Sequence, residues 1–417
     1  MSSRSRVASV RHGKLKQQKP IVTLLKIIGS VIAVIAVSIA SVGAITVYGI
    51  QNGLRENAVE LDSAPEPSND IGILPQIGAF EGGANILLVG SDSGGGNASY
   101  GVRDAELNDV TILIHLNSDN SGMTVISFPR DTFVSIPECT HPETGVTSGA
   151  VNNTKINQAL SRGGLACVAR TVEQLTGASI PYAALIEFDG VVEMSNAVGG
   201  VTVCVNEDIN DSHTGLVLSA GEHTLQGAEA LSFLRSRHGV GDGSDLGRIS
   251  NQQVFLSALM RTIKSDETLN DISKLYNIAH VASENVTLST SLTGIDTMVS
   301  FALAVKDIPL ERIVFIQYPT AIGNSGSQSG VFPIKSAAGE LMDAVLTDKP
   351  IALTGGTAPG DIGSIVVDDV PDPDAAPNPS GTPTPAPETT EDPEPPTSLP
   401  PAVTGQTASQ VTCSNAN

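Results

Sequence analysis

Residues Ile27–Ile50, IIGSVIAVIAVSIASVGAITVYGI, run for 24 positions without a charge. As a helix rising about 1.5 Å per residue, such a run spans about 36 Å, more than the roughly 30 Å hydrocarbon core of a bilayer. Six bases (Arg4, Arg6, Arg11, Lys14, Lys16 and Lys19) and no acid precede it within residues 1–20. Positive charge stays on the cytoplasmic side, so the sequence predicts a single-pass plasma-membrane protein with a cytoplasmic N-terminus and everything after residue 50 outside. A cleaved signal peptide is the competing reading, but its apolar core is usually about 7–15 residues long.

The chain as a whole carries 44 acidic and 23 basic side chains, a net charge of −21. With the six N-terminal bases set aside, 17 bases face 44 acids, about −27. A domain this acidic is not built to neutralise phosphate along a nucleic acid, so no nucleic-acid partner is expected. All four cysteines, Cys139, Cys167, Cys204 and Cys413, lie beyond the apolar run, where an oxidising compartment permits two disulfides. Three pairings are open, with buried free thiols as the alternative. Cys139–Cys167 closes the shorter loop and is preferred, which leaves Cys204–Cys413 to tie the tail to the body.

Composition divides the chain into a basic tail (1–20), an anchor (21–50), a polar stalk (51–83), a globular region (84–355) and a proline-rich tail (356–417). Within the last, residues 371–401 hold 12 prolines and are expected to be extended or disordered. In the globular region NILLVG (85–90), VTILIHL (110–116) and MTVISF (123–128) read as buried strands. KINQALSRGG (155–164) and LACVARTVEQLTG (165–177) read as helices, YAALIEF (182–188) and VTVCV (201–205) as strands again. LGRISNQQVFLSALMRTIK (246–264) is the clearest helix. This alternation predicts an α/β fold, a three-layer α-β-α sandwich around a mixed central sheet, preceded by one transmembrane helix.

Cations are sparse in this region, and most sit beside acids or amides in four clusters. Asp92 follows the first strand, Asp109 enters the second, and Arg130 and Asp131 leave the third. The segment RSRHGVGDGSDLGRISNQQ supplies Arg235, Arg237, Asp242, Asp245, Arg248 and Gln252. Four residues apart, Arg248 and Gln252 share one helix face, expected opposite much of the apolar stripe. Arginine's planar fork matches phosphate oxygens, and nearby carboxylates suit Mg²⁺, which takes one or two of them together with phosphate oxygens and water. Each cluster also has an ordinary explanation. Arg130–Asp131 can be a strand-end ion pair, Arg235 and Arg237 can alternate along a strand toward water, Asp242 and Asp245 can serve a turn, and Lys155 can be a surface residue. The four together, in a domain poor in other cations, point to a diphosphate. No Ser/His/Asp or Cys/His arrangement at informative spacing calls for a covalent intermediate.

In this order the clusters resemble the LytR–CpsA–Psr family of cell-envelope phosphotransferases, actinobacterial type, over about residues 85–264. NILLVGSD is similar to the family's opening strand with its Gly-x-Asp, NDVTILIHLN to its second strand, SFPRDTFVSIP to its Pro-Arg-Asp segment and KINQALSRGG to its Lys-Ile-Asn helix. GGVTVCV and GAEALSFLRSR…DLGRISNQQ complete the set. The resemblance implies transfer of a glycopolymer, as sugar 1-phosphate, from a polyprenyl diphosphate lipid to a peptidoglycan hydroxyl. It also implies that Asp92 and Asp109 hold Mg²⁺ and that Arg130, Arg235 and Arg237 bind the diphosphate with Arg248 and Gln252 beside them. The same resemblance implies that Asp131 orients an arginine, that Lys155 reaches the same pocket, and that the lipid tail lies between sheet and helices. Asp109 is the candidate base for the acceptor hydroxyl. Two departures stand out. Leu107 and Asn108 replace a family arginine and serine, with Arg103 a loop substitute, and Asn251 replaces the arginine of an Arg-Gln-Gln run. The rival readings are a hydrolase acting on the same lipid diphosphate and a non-enzymatic envelope regulator.

Overall fold

The three apolar runs form the centre of a sheet, β1 (Ala84–Ser91), β2 (Asn108–Leu116) and β3 (Met123–Phe128), each antiparallel to the next. They belong to a computed structural model that describes residues 49, 53–55, 58–63, 82–93, 100, 106–265, 268, 271–354, 356, 364–366 and 397–417. The chain divides into Met1–Ile50 and Gln51–Asn417, and all that follows concerns the second unit. Except for Gly49 the expected membrane segment lies outside the described residues, as does Arg103; among the described residues no helix is long and apolar enough to cross a membrane.

After β3 come a hairpin of β4 (Phe133–Ile136) and β5 (Val151–Lys155) and then α1 (Ala159–Thr176). As expected, two helices meet within α1: it is broken at Gly163 and Gly164, whose backbones leave the helical region. A Cβ on Gly163 would meet Cys139 Cβ at 2.6 Å, so glycine is what lets the Cys139–Cys167 disulfide pass over the break. Gly177, at φ 76°, ends the helix in the left-handed conformation that glycine adopts without strain.

The chain continues through β6 (Tyr182–Ile186), α2 (Phe188–Val198), β7 (Val201–Val205), β8 (Gly221–Leu225), α3 (Gly227–Arg235) and α4 (Asp245–Lys264). Next are α5 (Ile272–Asn285), β9 (Val286–Leu288), α6 (Ile295–Lys306), β10 (Ile313–Gln317) and α7 (Lys335–Leu346). Short strands toward the end of the chain include β11 (Ser364–Val366), β12 (Thr404–Thr407) and β13 (Thr412–Ser414). The main sheet runs β9-β6-β1-β2-β3-β10-β12, with β1/β6 and β3/β10 parallel and the other pairs antiparallel, a mixed sheet as expected. A second sheet runs β8-β7-β13-β11.

Side chains alternate across a strand, and the two faces of the main sheet have different neighbours. Leu87, Val89, Leu113 and Ile126 pack with Leu165, Val168 and Val172 of α1 and Leu341 of α7. Leu88, Gly90, Val110 and Ile112 face the other way, toward α2, α3 and α4. Helices therefore cover both faces.

The tail departs from expectation. Residues 397–417 are not a disordered extension: β12 adds an edge strand to the main sheet and β13 enters the second sheet. The Cys204–Cys413 disulfide ties this tail to the body as expected. TGQT and TCS carry no apolar run, so nothing in their pattern announces a strand. Their backbone pairing and their partners on α4 hold them instead.

Candidate active site

The register of β1 against β2 slips at one point. Gly90 pairs with Val110 and Ser91 with Asn108, so Asp109 is left as the extra residue of a bulge. A bulge re-aims its residue, and here it turns the carboxylate toward two arginines. Arg130 Nη1 lies 2.6 Å from Asp109 Oδ1, and Arg248 Nη1 lies 3.3 Å from Oδ2. Arg248 Nη2 also donates to the Asp109 carbonyl at 2.9 Å. Asn108, fully buried, fixes the bulge from the other side by accepting the Leu160 N–H of α1.

The opening residue of α4 completes this group. Ser244 caps the helix by accepting from the N–H groups of Leu246 and Gly247, which places Asp245 in the first turn, where a carboxylate favours the helix dipole. Asp245 Oδ1 meets Arg248 Nη2 at 2.7 Å, one turn along, and Oδ2 accepts the backbone N–H of Arg130 at 3.2 Å. Burial disfavours the Arg130 charge, yet Asp109, Asp245 and Asp131 together hold its pKa above the ordinary arginine value. The sequence places Asp245 in the charged cluster of this segment, with a turn role as the alternative; the pairing with Arg248 follows their spacing of three.

The other expected residues have partners of their own. Asp131 pairs with Lys155 at 2.8 Å. Asp92 is buried, and its Oδ1 accepts the Leu107 N–H at 2.9 Å. Arg235 and Arg237 do not alternate along a strand. Arg235 is the last residue of α3, its guanidinium 4.2 Å above the Phe188 ring, and Arg237 lies in the loop that follows. That loop folds around Asp211, a carboxylate absent from the sequence reading. Asp211 Oδ2 accepts from Ser236 Oγ at 2.8 Å and from the N–H groups of Arg237, His238 and Gly239 at 3.0, 3.1 and 3.2 Å, while Oδ1 accepts the His213 N–H at 2.9 Å. Burial pushes the Asp211 pKa up, but these donors more than reverse it and hold the group well below the usual carboxylate range. The Nε atoms of Arg130, Arg237 and Arg248 are buried without a hydrogen-bond partner, and Arg130 Nε lies 3.9 Å from Asp245 Oδ1.

Between the sheet and α2–α4 lies a cavity of about 240 Å³. Among the residues lining it only Ser91, Asp109, Ser195, Arg235, Arg248 and Gln252 are polar or charged. Arg248, Gln252, Leu256, Leu259 and Ile263 all line it. They recur at helical spacing, so Arg248 and Gln252 continue the apolar face instead of opposing it. The 15 helical steps from Arg248 to Ile263 extend about 22 Å. One wall is thus charged at one end and apolar along the rest.

No three His, Cys, Asp or Glu side chains among the described residues form a metal-binding group. A divalent cation here would rest on one or two carboxylates completed by phosphate oxygens and water, which is how Mg²⁺ sits at phosphate sites. Asp109, with arginines on both oxygens, fits that role once an anion draws the arginines away.

A sequence model described as the LytR_cpsA_psr family matches residues 46–343. The cell wall biosynthesis protein LcpA of Corynebacterium glutamicum is 28% identical over 275 residues, 60% of this chain and 52% of that protein, so the chain spans about half that relative's length. The Bacillus subtilis TagT, a polyisoprenyl-teichoic acid–peptidoglycan teichoic acid transferase, is 25% identical over 320 residues, 75% of this chain and 91% of TagT. The crystal structure of protein gbs0355 from Streptococcus agalactiae superposes with a TM-score of 0.51 at 23% identity, over 63% of this chain and 86% of that one, and so shares the fold.

Proposed function

Because the chain belongs to the LytR_cpsA_psr family, we propose that it is a membrane-anchored enzyme that moves a glycopolymer from a polyprenyl diphosphate carrier to a peptidoglycan hydroxyl. The observation that carries this reading is the wall of α4, which offers Arg248 and Gln252 to a charged head and Leu256, Leu259 and Ile263 to an apolar tail. A ligand matching it is charged at one end and extended and apolar behind. The apolar run at residues 27–50 anchors the protein in the plasma membrane and leaves the site on the outer face, where both the lipid carrier and the wall polymer are found.

In the reaction, the acceptor oxygen forms a bond to the phosphorus that bears the sugar. The bond from that phosphorus to the bridging oxygen breaks, and polyprenyl phosphate leaves with the electron pair. Phosphoryl transfer of this kind depends on positioning and on charge stabilisation. Arg130, Arg235, Arg237 and Arg248 supply the positive charge, and Arg235 is steadied on the face of Phe188. As Arg130 and Arg248 turn to the phosphates, Asp109 is freed to take the acceptor hydroxyl proton. A Mg²⁺ held by Asp92 and Asp109 would add to the neutralisation of the diphosphate. Asp131 and Lys155, paired with each other, support the Arg130 turn from beside the site.

The test is a comparison of ligands on the full chain in detergent. Inorganic pyrophosphate, geranyl diphosphate and geranylgeranyl diphosphate should bind with rising affinity, since each buried methylene contributes about 0.8 kcal/mol. Equal affinity for all three would remove the apolar wall from the account.

A further inference from the structure

The back of α4 is polar and buried. Ser250, Asn251, Gln253 and Ser257 are each at most 2% exposed, a pattern that costs stability unless each group finds a partner. For Ser250, Asn251 and Ser257 side-chain partners come from residues beyond the family match, while Gln253 is met there through its carbonyl and its Nε2 finds none. Ser364 Oγ lies 2.7 Å from Ser250 Oγ, and Gln406 Nε2 donates to the Gln253 carbonyl and to Ser257 Oγ, both at 3.1 Å. Ser414 Oγ donates to Asn251 Oδ1, and Asn251 Nδ2 in turn donates to the Phe233 carbonyl at 2.6 Å. That carbonyl lies in the last turn of α3, two residues before Arg235. Asn251 is therefore a hydrogen-bonded link at a position where an arginine charge would be buried.

The same segment grips the loop behind Arg235. Asn415 O accepts the Gly241 N–H at 3.0 Å, Ala416 bridges Val240, and Asn417 donates through its N–H to Gly239 O at 3.3 Å and through Nδ2 to His238 O at 3.0 Å. Asp211 ties the N–H groups of residues 237–239 from one side; residues 415–417 tie the His238 and Gly239 carbonyls and the Gly241 N–H from the other.

We propose that residues 404–417 are a positioning strap for the anion site. They set the end of α3 and the 236–241 loop, and through them Arg235 and Arg237, in the geometry that receives the charged head. The assignment rests on the diphosphate reading for its ligand, while its mechanical part stands without it.

The experiment uses the full chain with Ser414→Ala and Asn417→Ala, read by hydrogen exchange over residues 233–243 and by titration with geranyl diphosphate, with Arg237→Ala as a control. Each strap variant should speed exchange in that loop and weaken binding about tenfold, the effect of losing one buried hydrogen bond. Ser414→Thr, which keeps the hydroxyl, should restore both. Arg237→Ala should weaken binding with exchange unchanged. Unchanged exchange in both strap variants overturns the proposal, whatever the titration gives. Faster exchange in a protein that binds no diphosphate keeps the strap and refutes the ligand.

Discussion

Replacing Asp211 by Asn changes one charged oxygen-for-nitrogen position at the root of the arginine loop, and its cost can be worked from the contacts. The carboxylate accepts five hydrogen bonds, four at Oδ2 and one at Oδ1, from a site 1% exposed. An amide keeps one accepting oxygen. If that oxygen stays on the four donors, the NH₂ group faces the His213 N–H; if it turns, four donors are left facing NH₂. The first arrangement leaves one buried donor unsatisfied, about 1–3 kcal/mol, and weakens the rest, because bonds to a charged acceptor are about twice as strong as neutral ones. A loss of about 3–4 kcal/mol at pH 7 follows from these two effects. The pH dependence has a definite sign. The Asp211 pKa is depressed in the folded protein, so its contribution is complete above the unfolded value of about 3.9 and is lost as pH falls through the folded one. Urea unfolding of both proteins from pH 7 down to pH 2 should give a difference that narrows in acid, with transfer activity reduced at every pH. Equal stability at pH 7, or a gap that stays constant into acid, would refute the assignment of the depressed group to Asp211.

Asp109→Asn removes the common partner of Arg130 and Arg248 while Asp245 remains, so unfolding should cost less by about 3 kcal/mol, the low end for breaking a buried pair. Transfer should fall by about 10²-fold or more while geranyl diphosphate still binds in EDTA; loss of that binding would make Asp109 a structural residue only. Glu187 has its pKa raised by burial and by the neighbouring Glu106, so its ionisation opposes folding as pH rises above the unfolded carboxyl value. Glu187→Gln should therefore raise the melting midpoint at pH 7 and leave it unchanged at pH 4, and a gain at both would point to another cause. The disulfides close loops of 209 and 28 residues, for which chain entropy gives about 5 and about 3.5 kcal/mol. Denaturant unfolding of Cys204→Ser and Cys139→Ser should rank in that order, and the reverse would mean that native packing near Cys139 dominates.

Much of the sheet could be read directly because its strands are apolar and β-branched, and MTVISF matches β3 residue for residue. The placement of Asp109, Arg130 and Arg248 was within reach too, since strand ends and a helix start bring such residues together. What escaped depended on backbone detail. Arg235 ends a helix that reads as a strand because its last residues alternate, and Asp211 acts through loop N–H groups that no spacing rule reports. The strands of the strap are polar, following a proline-rich run, and are stabilised by side chains on α4 more than 100 residues earlier. The face of α4 was misjudged because Ser250, Asn251, Gln253 and Ser257 are buried against that strap, leaving the cavity to the face that carries Arg248.

Transfer at the arginine-lined cavity is tested by product analysis. The full chain in detergent is given a labelled polyprenyl diphosphate-linked glycan with and without peptidoglycan. Polyprenyl phosphate should be released together with formation of an acceptor-dependent phosphodiester on the wall polymer, both lost in Arg130→Ala. Free sugar phosphate appearing at the same rate with or without acceptor would contradict it.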